Sequence, residues 1–169
     1  MCILTIKNKD GHPDRAKARI VVLGNQDKTY YTKHDKYAPV LNQNQLRVLV
    51  ALSISKRRCL RQGDVKNAFC NGILPTDETV ICLPPKNCPF SKPDTYWKLK
   101  KTLYGLSKSP KHWFNTIEKV FHSLGLTNTP NSPCVFTGIL IPDRPPIYIG
   151  LYVDDFCYFS EDDSVEEQF

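Results

Sequence analysis

The tetrapeptide Tyr152-Val153-Asp154-Asp155 constrains this chain more than any other feature, because it sets two adjacent carboxylates between two apolar runs. Upstream lies Ile147-Tyr148-Ile149-Gly150-Leu151 and downstream Phe156-Cys157-Tyr158-Phe159. Such runs predict buried β-strands, with the acidic pair at the tip between them. Two like charges there cost free energy through repulsion and desolvation. A bound divalent cation would turn that cost into a ligand field, and magnesium suits hard carboxylate oxygens. Taken alone, the pair reads first as a solvated acidic turn. The rest of the chain reverses that preference.

A further carboxylate lies far upstream, in Cys59-Leu60-Arg61-Gln62-Gly63-Asp64-Val65-Lys66-Asn67-Ala68-Phe69-Cys70-Asn71-Gly72. The segment predicts a short strand reaching Asp64, then a compact turn. A carboxylate at a strand's end can face a cleft, although by itself Asp64 also reads as a turn or cap residue. Asp64, Asp154 and Asp155 together suffice for a two-metal site. Such sites hold cations about 3.5–4 Å apart and clamp both oxygens of a phosphoryl transfer.

Five segments, in order, carry a resemblance to a known family. Lys17-Ala18-Arg19-Ile20-Val21 is similar to the fingers motif KARLV, and Tyr37-Ala38-Pro39-Val40 to FAPV. Asp64-Val65-Lys66-Asn67-Ala68-Phe69-Cys70-Asn71-Gly72 is similar to DVKTAFLNG. Lys98-Leu99-Lys100-Lys101-Thr102-Leu103-Tyr104-Gly105-Leu106 is similar to KLKKSLYGL, and Tyr152-Val153-Asp154-Asp155 is the polymerase YVDD box. The chain thus resembles the reverse transcriptase domain of Ty1/copia-type retrotransposons, from about Thr5 to Ser160.

That resemblance implies template-directed transfer of a deoxynucleotide to a primer 3′-hydroxyl, with two magnesium ions, or manganese in their place, as cofactors. It makes Asp64, Asp154 and Asp155 the catalytic metal ligands, with the backbone carbonyl of Val65 as a further one. Lys17 and Arg19 would grip the triphosphate; otherwise alternate residues of that strand simply face solvent. Asn67, Ala68 and Phe69 would line the nucleotide, their amides cradling phosphates and the Phe69 ring excluding a ribose 2′-hydroxyl. Phe69 is equally a candidate for core packing. Tyr104 and Gly105 match a segment lining the nucleotide and template site, and Tyr152 lies near the expected primer terminus. The family's LKQAP is here Leu106-Ser107-Lys108-Ser109-Pro110, so Lys108 stands where glutamine is usual and bears on the template contact. Cys70 replaces the leucine of AFLNG.

Partners implied are an RNA or DNA template with its primer, dNTPs, and the thumb and RNase H regions of the same polyprotein. The expected fold is α+β: a polymerase palm, mostly antiparallel sheet backed by helices, with partial fingers and no thumb. Residues 1–58 would be mainly fingers and residues 59–169 mainly palm, ending before the palm is complete. The expected setting is intracellular, in cytoplasmic virus-like particles or the nucleus. The piece is expected to be a truncated fragment, weakly active or inactive by itself, and a non-catalytic remnant that folds and binds nucleic acid is the alternative. A two-metal nuclease or cyclase is a third, disfavoured by the fingers and LYGL segments.

Composition fits these expectations. A chain of 169 residues, 41% hydrophobic and 24% charged, can bury one good core or a core plus a small lobe. No apolar run spans a bilayer and Met1-Cys2-Ile3-Leu4 lacks the pattern of a secretory signal. Seven cysteines at irregular spacing, with no CxxC pair, point to a reduced compartment. The net charge of +6 favours polyanionic partners. Basic residues gather in 7–19, in Lys56-Arg57-Arg58 with Arg61, and around Lys98–Lys111, while acids gather from Asp154 onward.

Local patterns supply the elements. Asp10-Gly11 marks a hairpin turn within Asn8–Asp14, between strands Ile3–Lys7 and Ala16–Leu23. Gly24–Lys36 is polar and reads as loop. A helix is expected from Gln43 to Ser55, with Leu46, Leu49, Val50 and Ile54 on one face. Strands follow near Cys59–Val65, Thr79–Leu83 and Tyr96–Leu99, with a breaker-rich loop over 84–89. A helix from Pro110 to about Leu124, capped by Ser109, carries Trp113, Ile117, Val120, Phe121 and Leu124, and Gly125 ends it. Strands near Cys134–Leu140 and Ile147–Phe159 come next. Ser164-Val165-Glu166-Glu167 then has the capping-box pattern of another helix.

Overall fold

The computed structural model describes every residue except Asn87, Phe90 and Pro93. In chain order the elements are β1 (Cys2–Lys9), β2 (His12–Ile20), α1 (Lys33–Lys36), α2 (Gln43–Ser55), β3 (Arg61–Asp64), β4 (Ile81–Cys82) and β5 (Trp97–Lys98). They continue with α3 (Ser109–Ser123), β6 (Thr127–Thr129), β7 (Ser132–Gly138), β8 (Ile147–Tyr152), β9 (Asp155–Ser160) and α4 (Asp163–Gln168). All strand pairs within the sheets are antiparallel, so the fold is mixed α and β with few helices. Among the described residues no helix is long and apolar enough to cross a membrane. Two compact units emerge: Met1–Tyr37 with Phe69–Trp113, and Ala38–Ala68 with Phe114–Phe169. Position 58, where the sequence marks the change from mainly fingers to mainly palm, lies within the second.

The second unit is built on a five-stranded sheet of order β3-β9-β8-β7-β6. Side chains alternate between faces along a strand, and directly opposed residues share a face. One face carries Ile147, Ile149 and Leu151 of β8 with Phe136 and Cys134 of β7, all essentially inaccessible to water. Phe121 of α3 meets Phe136 edge-on at 4.8 Å, and Phe169 packs on Phe156 and Tyr158. The other face carries Tyr148, Gly150 and Tyr152 with Asp155, Cys157 and Phe159. Here α2 lies over Gly150: a Cβ at that position would sit 2.6 Å from Leu49 Cδ1 and 2.9 Å from Leu41 Cδ2. Coverage on both faces explains the unbroken apolar run of β8.

The expected helix over Gln43–Ser55 forms with those bounds, but its buried residues are Leu49 and Ser53. Leu46, Val50 and Ile54 are exposed, because the helix presents only a narrow strip to the sheet. Asn42 caps it, in a reciprocal box with Gln45. In α3, Trp113, Ile117 and Phe121 are buried as expected, whereas Val120 and Leu124 are about half exposed. Ser109 is the first helical residue rather than the cap; its hydroxyl donates to the Leu103 carbonyl. Gly125 ends the helix at φ 80°, with the Leu126 amide reaching back to Phe121 and the Gly125 amide to His122, a Schellman closure. Asp162, not Ser164, caps α4.

In the first unit β1 and β2 make a long hairpin. Its turn is only Asp10-Gly11, both at positive φ, so the strands run further toward the tip than the sequence pattern implies. Pro13 is tolerated in β2 because each strand of a two-stranded ribbon is an edge. The stretch expected as loop contains a 3-10 turn at Gly24–Gln26 and the one-turn helix α1, held by a capping box between Thr32 and Asp35. β4 and β5 shrink to two residues each. Of the loop over 84–89, Asn87 lies outside the described residues. All seven cysteines are free thiols, and burial pushes that of Cys134 up to about 12.

Candidate active site

Asp64, Asp154 and Asp155 lie at one end of the five-stranded sheet. β8 and β9 are joined by the two-residue turn Val153-Asp154, so Tyr152 lies opposite Asp155. Asp155 is also the register partner of Asp64 at the end of β3. Opposed residues in antiparallel strands have Cα atoms about 4.5–5.5 Å apart. Asp64, Asp155 and Tyr152 therefore share the face over which α2 lies. The Val65 amide donates to the Asp154 carbonyl at 2.7 Å, which ties the exit of β3 to the turn. Asp64 and Asp155 are exposed and Asp154 is half-buried.

The turn itself is strained. Val153 has φ 58°, while Asp154 does not share the left-handed region. Positive φ at the first central residue alone is the II′ pattern, where glycine is usual and a β-branched residue is an outlier. Such strain, of order 1–3 kcal/mol, gathers at functional sites.

Like charges directly opposed across strands destabilise a sheet. The ion pairs among the described residues lie elsewhere: Lys56–Glu161, Arg58 and Arg61 with Asp163 and Glu166, Lys108 and His112 with Glu78, and Arg144–Asp162. Among the described residues, no three His, Cys, Asp or Glu side chains converge as a ready-made metal cage. The donor set is nonetheless all hard oxygen, the ligand type that magnesium prefers. Beside it opens an apolar cavity of about 520 Å³, lined by Leu41, Leu46, Leu60, Gly150, Tyr152 and Cys157.

The other expected site residues fall mostly in the first unit. Arg19 lies over the Tyr104 ring at 5.7 Å, and Tyr104 meets Phe69 edge-on at 5.4 Å. Three nucleotide-site candidates are thus one contact chain. Lys17 neighbours Arg19 on the same ribbon face, and both are half-buried. Gly105, at φ 91°, accommodates protein backbone: a Cβ there would collide with the Val22 carbonyl. Lys108 is engaged by Glu78 at 3.3 Å and lies over the Tyr31 ring at 5.1 Å. In the second unit, Asn67 sits at φ 55° and Ala68 is buried.

Two clusters escaped the sequence analysis. The Lys56–Arg61 basic group is largely occupied by C-terminal acids. Lys56 pairs with Glu161, Arg58 with Asp163 and Glu166, and Arg61 with Glu166. Burial would raise the Glu166 carboxyl's pKa, but the Ser160 amide and the two guanidinium groups hold it below its ordinary value. The signal was present, since bases precede β3 and acids follow its antiparallel partner β9. The second cluster joins Glu78, His112 and Lys108 within the first unit. Lys108 and His112 stand one helical turn apart, but Glu78 lies 30 residues before Lys108 and nothing local announces it.

The family model described as "Reverse transcriptase (RNA-dependent DNA polymerase)" matches residues 2–169. The chain is 30% identical over 155 residues to the "Retrovirus-related Pol polyprotein from transposon RE2" of Arabidopsis thaliana, covering 92% of this chain and 10% of that protein. It is 30% identical over 149 residues to the corresponding polyprotein of transposon TNT 1-94 of Nicotiana tabacum, covering 88% and 11%. It is 28% identical over 153 residues to the "Transposon Ty1-ER2 Gag-Pol polyprotein" of Saccharomyces cerevisiae, covering 86% and 8%. The chain spans about a tenth of the length of these curated relatives. No solved structure matches it. The chain belongs to the reverse transcriptase (RNA-dependent DNA polymerase) family, as the reverse transcriptase domain of Ty1/copia-type retrotransposon Pol polyproteins.

Proposed function

We propose that this chain carries the nucleotidyl-transfer site of an RNA-directed DNA polymerase, adding dNTPs to a primer 3′-hydroxyl. The observation that carries this is the register pairing of Asp64 with Asp155, locked to the turn by the Val65–Asp154 hydrogen bond. On this account the five-stranded sheet is the palm and the β1–β2 ribbon belongs to the fingers.

Asp64, Asp154 and Asp155 would hold two magnesium ions, with manganese as substitute, and the Val65 carbonyl would be a further ligand. When bound, the ions supply a lowered pKa at the attacking hydroxyl and charge neutralisation at the leaving pyrophosphate. Strain at Val153 fixes the direction in which Asp154 and Asp155 leave the turn. Tyr152, exposed on the same face as Asp155, would contact the primer terminus. Arg19 and Lys17 offer cations to a triphosphate, a fork and a point charge respectively. Phe69, held edge-on by Tyr104, excludes a 2′-hydroxyl.

Primer extension on an RNA template, with magnesium and all four dNTPs, tests this. Incorporation by the wild type should be abolished by chelation and lost at least a hundredfold in Asp64→Asn and Asp155→Asn. Equal incorporation by wild type and both variants would show that these carboxylates do no chemistry. Nucleic-acid binding without metal-dependent incorporation would favour a non-catalytic role.

A further inference from the structure

Residues 101–105 tie together two parts of the first unit that the proposed site uses separately. On one side they meet the root of the β1–β2 ribbon. Tyr104 forms a parallel bridge with Val21, and its carbonyl accepts from the Val22 amide at 2.8 Å. The two backbones close together at Gly24, where a Cβ would collide with the Gly105 carbonyl. On the other side they meet the turn over 69–73. The Thr102 amide donates to the Gly72 carbonyl at 2.9 Å, and Lys101 bridges Ile73. Thr102 is buried, and its hydroxyl donates to the Phe69 carbonyl. With the backbone fixed on both sides, one ring joins the side chains. Arg19 lies over the Tyr104 ring at 5.7 Å, and Phe69 meets that ring edge-on at 5.4 Å with the planes 68° apart. All three residues are half-buried, so water only partly screens these contacts.

We propose that Tyr104 is a positioning residue that couples triphosphate affinity to sugar choice, its ring orienting the Arg19 guanidinium and holding the Phe69 ring in one rotamer. It acts through those two side chains rather than by touching the nucleotide. The ring quadrupole attracts a guanidinium above its face, and an edge-on aromatic pair has its own preferred geometry. Each contact restricts a side chain that is otherwise free to turn, which is how a supporting residue sharpens a site. Because one ring serves both, displacing it releases the cation and the sugar-selecting ring together. Phenylalanine keeps the ring and hence both contacts, whereas leucine keeps neither.

This inference rests on the transfer-site reading above. The test is calorimetric titration of dATP and of ATP into the whole chain with magnesium and a primer–template. The primer ends in a dideoxynucleotide, so bound nucleotide is not consumed, and the next template base is uracil. Tyr104→Leu should raise the Kd for dATP about fivefold, the loss of one partly desolvated cation–π contact. The ratio of the ATP Kd to the dATP Kd should fall about fivefold as the Phe69 ring is released. Tyr104→Phe should recover both. In an Arg19→Ala background Tyr104→Leu should no longer weaken dATP binding, and in a Phe69→Val background it should no longer shift the ratio, since residues acting through one another are not additive. An equal loss for both nucleotides that persists in both backgrounds is the mark of loosened packing and overturns the proposal. Unaltered affinity and ratio in Tyr104→Leu overturns it too, while leaving the transfer-site reading in place. A wild type that binds no dATP overturns that reading, and this inference with it.

Discussion

At the residue scale, Phe69 is a packed ring for which sugar selection is proposed. It is half-buried and held edge-on by Tyr104, whose ring also lies under Arg19. If the ring excludes a 2′-hydroxyl, Phe69→Val should raise the kcat/KM for rNTPs relative to dNTPs at least tenfold, because a clash is relieved without a new contact. If it only packs, the substitution should cost about 1–3 kcal/mol and depress use of both sugars alike. Measuring the ratio alongside the melting temperature separates the two outcomes. Gly105 shows the converse. Its positive φ and its close approach to the Val22 carbonyl are demands of the backbone, met whether or not a nucleotide is bound. Lys108, in the place of the family's glutamine, is occupied by Glu78 and the Tyr31 ring.

At the scale of elements, α2 and β8 depend on the absence of a side chain at Gly150. Its missing Cβ admits Leu49 and Leu41, so Gly150→Ala should overpack this contact at a cost of about 1–3 kcal/mol. Urea unfolding of the two proteins would measure it, and an unchanged midpoint would mean that α2 shifts freely. The α4 clamp is the second element-level dependence. The Glu166 carboxyl is held below its ordinary pKa in the folded state, so the unfolded chain binds the proton more tightly. The contribution is therefore full above the ordinary carboxylate range and is lost as pH falls through the depressed folded value. Glu166→Gln should lower the melting temperature at neutral pH, by an amount set by about 2 kcal/mol of lost charge-assisted hydrogen bonds. The deficit should narrow on acidification. A deficit that stays constant with pH would assign the effect to packing.

These elements also show what was legible in the sequence. The α2 boundaries, the strand reaching Asp64 and the glycine stop of α3 follow from local patterns, because caps, turns and periodicity act within a few residues. The inward face of α2 did not, since Leu46, Val50 and Ile54 have the right period but the buried residues are Leu49 and Ser53. The arginine clamp was hidden for a related reason: basic and acidic runs reveal their pairing only once β3 and β9 are known neighbours. Of the candidate site, the YVDD hairpin and Asp64 were readable. Their register, and the strain at Val153, are properties of the folded backbone.

At the scale of the whole molecule, charge is distributed with a purpose that the net value of +6 conceals. The C-terminal acids neutralise the Lys56–Arg61 group, while the ion pairs among the described residues do not include Asp64, Asp154 or Asp155. On the function proposed above, these three carboxylates take divalent cations. Titration of the whole chain with manganese, followed by electron paramagnetic resonance of the free ion, tests it most directly when paired with thermal unfolding in chelator. Asp64→Asn and Asp155→Asn should each weaken manganese binding at least tenfold. Without metal, each should raise the melting temperature slightly, because a like-charge contact worth up to about 1 kcal/mol is relieved. Undiminished manganese binding in both variants, or a fall in melting temperature under chelator, would contradict the assignment.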